Sequence, residues 1–130
     1  SRLGIQFIVF AIIANIIGFA VMQAIAGPAG ETQVAESLYA VGNAILGSGY
    51  ALFGLGIFLF ATAICQVSEA AAKITAGIAS VAGLVALIAA LIGITNCSAL
   101  QTVGIISGIC YMVITLWAIT LGARLIRDEN

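Results

Sequence analysis

The stretch LGIQFIVFAIIANIIGFAVMQAIA, residues 3–26, decides the fold: it runs for 24 residues without a charged side chain. A helix rising ~1.5 Å per residue needs about 20 apolar residues to cross ~30 Å of hydrocarbon, so this run predicts a membrane-spanning helix. It is too long for the apolar core of a signal peptide and leads into further apolar sequence, so it reads as a retained span.

Working outward, the same character returns three more times. Gly27-Pro28 ends the first run, and residues 29–37 form a polar loop with Glu31, Thr32, Gln33 and Glu36. A second apolar run covers residues 38–67, with Ser37 as its N-cap; a helix of that length must tilt, protrude from the bilayer or bend, and Gly42, Gly47, Gly49, Gly54 and Gly56 allow a bend near its first half. Residues 68–73 make a short turn containing Glu69 and Lys73. A third, Ala/Gly-rich run spans residues 74–95 and stops at Asn96-Cys97-Ser98; a fourth spans residues 102–125. The fold class is therefore all-α: a four-helix transmembrane bundle with short loops, one transmembrane domain over residues 1–130.

Composition agrees. Hydrophobic residues make up 63% of the chain and charged residues 7%, with a mean hydropathy of +1.26, far from soluble domains. Four spans leave no room for a soluble catalytic domain. Nine scattered charges with a net charge of −1 offer no basic patch for nucleic acid. With no histidine and no CxxC among Cys65, Cys97 and Cys110, no metal or cofactor site is expected. The cysteines read as small packing residues, apart from Cys97 in its polar loop. The sequon Asn96-Cys97-Ser98 lies too close to the headgroups for glycosylation to be expected.

Basic residues near span ends stay cytoplasmic, whereas acidic residues count for little. Arg2, Lys73, Arg124 and Arg127 all fall before span one, in the second loop or after span four. Both termini are therefore expected in the cytoplasm, and the membrane is read as the plasma membrane.

Ion coupling or catalysis at depth normally needs an ionisable group there; the four runs carry no Asp, Glu or His, and Arg124 sits close enough to a helix end to snorkel. In length and span count the chain resembles the small multidrug transporters. Those carry a glutamate inside the first helix, whereas this first helix has Asn15 and no acid, so membership is not assigned. The polar groups left at depth include Asn15, Asn43, Ser48, Tyr50, Thr62, Ser80, Thr115 and Thr120. Asn15 sits mid-span, where an unpaired amide costs several kcal/mol, so it must face protein or water. Its first expected role is a hydrogen bond between helices; its second, with Asn43, is to line a polar path.

Small residues recur at four-residue spacing: Ala40, Ala44 and Ser48; Ala72, Ala76 and Ser80; Ala79 and Gly83; Ala82, Ala86 and Ala90; Gly104 and Gly108. Each set is a ridge on which helix backbones approach closely. Ala76, Ser80, Gly83, Gly104 and Gly108 are the expected packing positions, with span three at the centre of the bundle. The bulky face of span four, with Tyr111, Met112, Ile114, Trp117 and Leu121, is expected to meet lipid or a partner.

With packing surface in abundance and no reactive group, the expected function is a non-enzymatic structural or accessory subunit of a larger membrane assembly. Its partners would be lipid and other membrane subunits or copies of itself. The alternative is an oligomeric channel or transporter protomer for a small neutral or anionic solute.

The topology has a direct check. Cys97 should react with a membrane-impermeant thiol reagent in intact cells, and Cys65 and Cys110 should not. Reaction of a reduced Cys97 only after lysis would invert the orientation.

Overall fold

Hydrocarbon offers no hydrogen bonds, so an apolar chain at depth must satisfy every backbone group internally, and a helix does this within one segment. A computed structural model describes residues 2–25 and 32–128. It contains helices α1 (Arg2–Ile25), α2 (Thr32–Val67), α3 (Ala70–Thr95) and α4 (Leu100–Asp128), with a single 3-10 turn, Cys97–Ala99, between the last two. The described residues contain no strand. All four helices are long and apolar enough to cross a membrane.

The helices overrun the apolar runs. The expected Gly27-Pro28 stop and residues 29–31 of the first loop lie outside the described residues, but Thr32 to Ser37 are helical and not loop. Ser37 is therefore no N-cap. Once a helix is nucleated each added residue gains a hydrogen bond, so polar, helix-compatible residues prolong it beyond the hydrocarbon. At 36 residues, α2 is ~54 Å long by its rise per residue. The turn between α2 and α3 shrinks to Ser68 and Glu69, because Ala70 to Lys73 form the first turn of α3 and the Lys73 amide donates to the Glu69 carbonyl at 2.8 Å.

Asn96 caps α3 with its backbone N–H on the Ile92 carbonyl. Its side-chain oxygen accepts from the Ser98 amide at 3.1 Å and the Ser98 hydroxyl at 2.6 Å. This local ring replaces the lost helical bonds and turns the chain into α4.

Successive helices pack against each other in antiparallel pairs, α1 on α2, α2 on α3 and α3 on α4. Side chains of α4 also reach α2, with Phe60 edge-on to Trp117 at 6.1 Å between ring centroids. Helix α2 meets α1, α3 and α4, and α3, expected at the centre, has the most buried span of the four. The Ala-rich α3 touches α2 and α4.

Burial runs opposite to that of a water-soluble protein. The interior is chiefly alanine, with Ala11, Ala61, Ala76 and Ala79 fully buried, while Phe10 is 61% and Leu116 63% exposed. In water such a surface would be intolerable; in lipid it costs nothing, because lipid tails are as apolar as leucine. The large buried residues come from α2, with Leu46 and Ile57, and from α4, with Ile114 and Trp117. Ile114 joins Ile57, Ala82, Ala86 and Cys110 in one cluster, and Trp117 joins Ala61, Ala76 and Ala79 in another. The bulky face of α4 therefore turns inward, contrary to its expected role, and of its members only Met112 is exposed. A helix as small-sided as α3 leaves space that only a large neighbour fills.

This arrangement predicts opposite outcomes for neighbouring residues. Trp117→Ala should cost about 3 kcal/mol through the cavity it leaves, and Leu116→Ala less than about 0.5 kcal/mol, in reversible unfolding from lipid-containing micelles. Equal losses would show that α4 is rotated.

Candidate functional site

The features that carry chemistry in this chain are its helix seams and the polar atoms along them. On α1, Gly4, Ala11 and Gly18 recur every seventh residue; on α2, Gly42, Gly49 and Gly56 do the same. A seven-residue repeat returns to nearly the same helix face, since seven residues make almost two turns. The two stripes meet. A methyl on Gly4 would lie 2.9 Å from the Gly56 carbonyl oxygen, and a methyl on Gly56 2.9 Å from that of Gly4. Gly49 faces the Ala11 carbonyl, Gly18 faces Leu46, and Gly42 faces Met22.

A second stripe on α2, Gly47, Gly54 and Ala61, is offset by five residues and so lies about 140° around the helix. It faces α3. A methyl on Gly54 would sit 2.7 Å from the Leu87 amide nitrogen and 2.8 Å from the Gly83 carbonyl oxygen; one on Gly83 would sit 2.8 Å from the Phe58 amide nitrogen. Ala61 packs with Ala76 and Ala79, and Ala90 is buried beyond Gly83. Backbone here touches backbone, as only glycine and alanine permit.

Of the residues singled out from the sequence, Ala76, Ser80 and Gly83 fall on this α2–α3 seam. Ser80 also makes its polar contact. The Thr62 hydroxyl donates to the Phe58 carbonyl at 2.6 Å and lies 2.7 Å from the Ser80 hydroxyl. A hydroxyl has one proton, so with Thr62 donating to Phe58 it is Ser80 that donates to Thr62. Both hydroxyls are satisfied without water. Thr115 and Ser48 instead return their protons to carbonyls of their own helices, Tyr111 at 2.7 Å and Ala44 at 2.8 Å, the usual escape for hydroxyls facing lipid.

Gly104 and Gly108 are placed differently. Both are exposed on α4, and a methyl on either would meet nothing within 4 Å. Asn15 lies in the α1–α2 contact, its side-chain oxygen 2.7 Å from where a Gly49 methyl would stand. That oxygen is buried and has no hydrogen-bond partner. Asn43 is exposed on α2, so the structure does not bring the two amides together. Cys65 donates its thiol proton to the Lys73 carbonyl at 3.5 Å across the α2–α3 turn, and Cys110 is buried in the α4 cluster; the side chain of Cys97 lies outside the described residues.

Sequence reasoning missed the aromatic contacts. Tyr111 packs against Tyr50 and Phe53 at 5.8 and 5.4 Å between ring centroids, and its hydroxyl is buried without a partner. Tyr50 and Phe53 lie one turn apart, a spacing that places both on one face of α2.

No known family model, characterised protein or solved structure matches the chain.

The α2–α3 seam is directly testable. Gly83→Leu should abolish recovery of folded protein, because a side chain there strikes the α2 backbone. Gly77→Leu, on the same helix with nothing within 4 Å, should fold like the parent. Size-exclusion chromatography in mild detergent separates the two, and a folded Gly83→Leu variant would displace the seam.

Proposed function

We propose that the chain is a non-enzymatic structural or accessory subunit of a larger membrane assembly, held in the plasma membrane with both termini in the cytoplasm. The outward Gly104-Gly108 step carries the reading. Glycine in a helix interior costs roughly 1 kcal/mol relative to alanine, and within membranes it is kept where backbones approach closely. The glycines at positions 4, 54, 56 and 83 meet this condition inside the protomer, and those at 18, 42, 47 and 49 take a neighbour's side chain instead, each with an atom within 2.9 Å of a would-be methyl. Gly104 and Gly108 do not, and unlike the other open glycines, Gly77 and Gly122, which are half-buried, they lie exposed together at four-residue spacing. A helix from another subunit, seated on that face of α4, would give them the same role.

The chemistry of the helices supports the same reading. Charged residues occur in the loops, the tail and near the ends of the helices, so among the described residues no carboxylate, ammonium or guanidinium stands at mid-depth to run a reaction. The orientation rests on the four basic residues. Arg2, Lys73, Arg124 and Arg127 all fall at one end of an alternating bundle, the pattern that cytoplasmic retention of positive charge produces.

The rival reading, an oligomeric channel or transporter protomer, would use Asn15 and Asn43. One of these is sealed against Gly49 and the other exposed, so a path through both would have to be completed by another copy.

Purification in mild detergent should bring down a stoichiometric set of larger subunits, and Gly108→Leu should leave the protomer folded but release it from them in blue native gels. A pure homo-oligomer that conducts solute in liposomes would favour the channel instead. Retention of Gly108→Leu in the assembly would remove the glycine face from the interface.

A further inference from the structure

Among the described residues, two side-chain atoms are buried without a hydrogen-bond partner: the Asn15 side-chain oxygen on α1 and the Tyr111 hydroxyl on α4. Each exposes less than 1 Å², so neither is open to solvent as the side chains stand, and hydrocarbon offers no donor or acceptor. An orphaned group in such surroundings loses the hydrogen bond it would make in water and gains nothing in return. The two are complementary. An amide oxygen accepts, and a phenol donates.

They also border the same turn of α2. The Asn15 oxygen lies against Gly49, and the Tyr111 ring lies between Tyr50 and Phe53. Helical side chains lean toward the N-terminus of their own helix. The antiparallel order of the helices makes α4 run with α2, so Tyr111 leans from the Phe53 level back toward Gly49. By the same rule Asn15, on the oppositely directed α1, leans from the Leu46 level toward Gly49. Ile8 of α1 and Tyr111 also pack against one cluster, which includes Ile57 and Ile114. Helix α1 has a continuous seam with α2 and α4 has one with α3, and no such seam joins α1 to α4.

We propose that Asn15 and Tyr111 are the two halves of one hydrogen bond, Tyr111 O–H donating to the Asn15 oxygen, which latches α4 to α1 across the Gly49 turn when the bundle tightens. Once formed, the bond removes both orphans together. Gly49 is part of the device, because any side chain at that position would occupy the place of the Asn15 oxygen. The proposal is independent of the accessory-subunit reading, since it concerns the protomer alone.

The test is a double-mutant cycle on the full chain in lipid bicelles, with Asn15→Leu, Tyr111→Phe and the combined variant. A hydrogen bond between membrane helices averages about 0.6 kcal/mol, or roughly a threefold change in the folding equilibrium constant. Each single variant should lower that constant about threefold, and the double variant should lower it no further. Infrared spectra give a second readout: the phenol C–O band lost in Tyr111→Phe should shift in Asn15→Leu. Additive losses, an unmoved band, or a Tyr111→Phe protein as stable as the parent or more so would overturn the latch, because removing a true orphan costs nothing. Should Asn15→Leu not fold, Tyr111→Phe decides alone: a stability loss supports the bond, and no loss refutes it.

Discussion

Direct contact between helix backbones at glycine is the interaction on which the rest of the structure depends. Helices already dissolved in hydrocarbon gain nothing by hiding apolar surface from lipid, so dispersion and weak polar contacts along a seam must supply the attraction. These fall off steeply with separation. At Gly4 with Gly56 and at Gly54 with Gly83 the missing side chains let carbonyl oxygens of one helix approach the backbone of the next. Since the two glycine stripes of α2 lie about 140° apart, α1 and α3 are held on different faces of one helix. The direction of each contact follows from where α2 has no side chain.

From that spacing comes the division of labour in the core. Where α2 and α3 meet through glycine and alanine they are close, and the groove they leave is shallow but wide. Ile114 and Trp117 of α4 fill it, each against alanines. Small packs on small where backbones must touch, and large packs on small where a third helix must be seated. The remaining large residues then have no interior to enter and face lipid. The alanine core and the isoleucine-rich surface are two consequences of one packing rule.

The helices were legible in the sequence because backbone satisfaction in hydrocarbon leaves few choices, and four long uncharged runs can be read without knowing their neighbours. Their ends were less so. Thr32 to Ser37 and Ala70 to Lys73 have the composition of loops, yet they extend helices whose nucleation the apolar residues have already provided. The seams were legible as residue types and not as registers. Several faces of α3 are small, so its four-residue ridges pointed in every direction. The seven-residue stripes, Gly42-Gly49-Gly56 and Gly47-Gly54-Ala61, stand out only beside partners with the same repeat. The inward turn of Trp117 was hidden for a related reason. A helix apolar all round carries no polar face to orient it, so its rotation is decided by the shape of its neighbours.

The polar side chains at depth follow the same logic of distance. Ser48 and Thr115 carry short hydroxyls that reach a carbonyl one turn back, so each can be satisfied wherever it sits. Thr62 and Ser80 reach each other because the Gly54 and Gly83 contact has already brought their helices close enough for a 2.7 Å approach. The amide of Asn15 and the phenol of Tyr111 have no such local recourse. The Asn15 oxygen is an acceptor, and at mid-span every backbone N–H of its own helix is already donated along that helix; a phenol hydroxyl stands too far from its backbone to turn back. Their pairing therefore depends on how closely α1 and α4 approach, and no continuous glycine or alanine seam sets that distance.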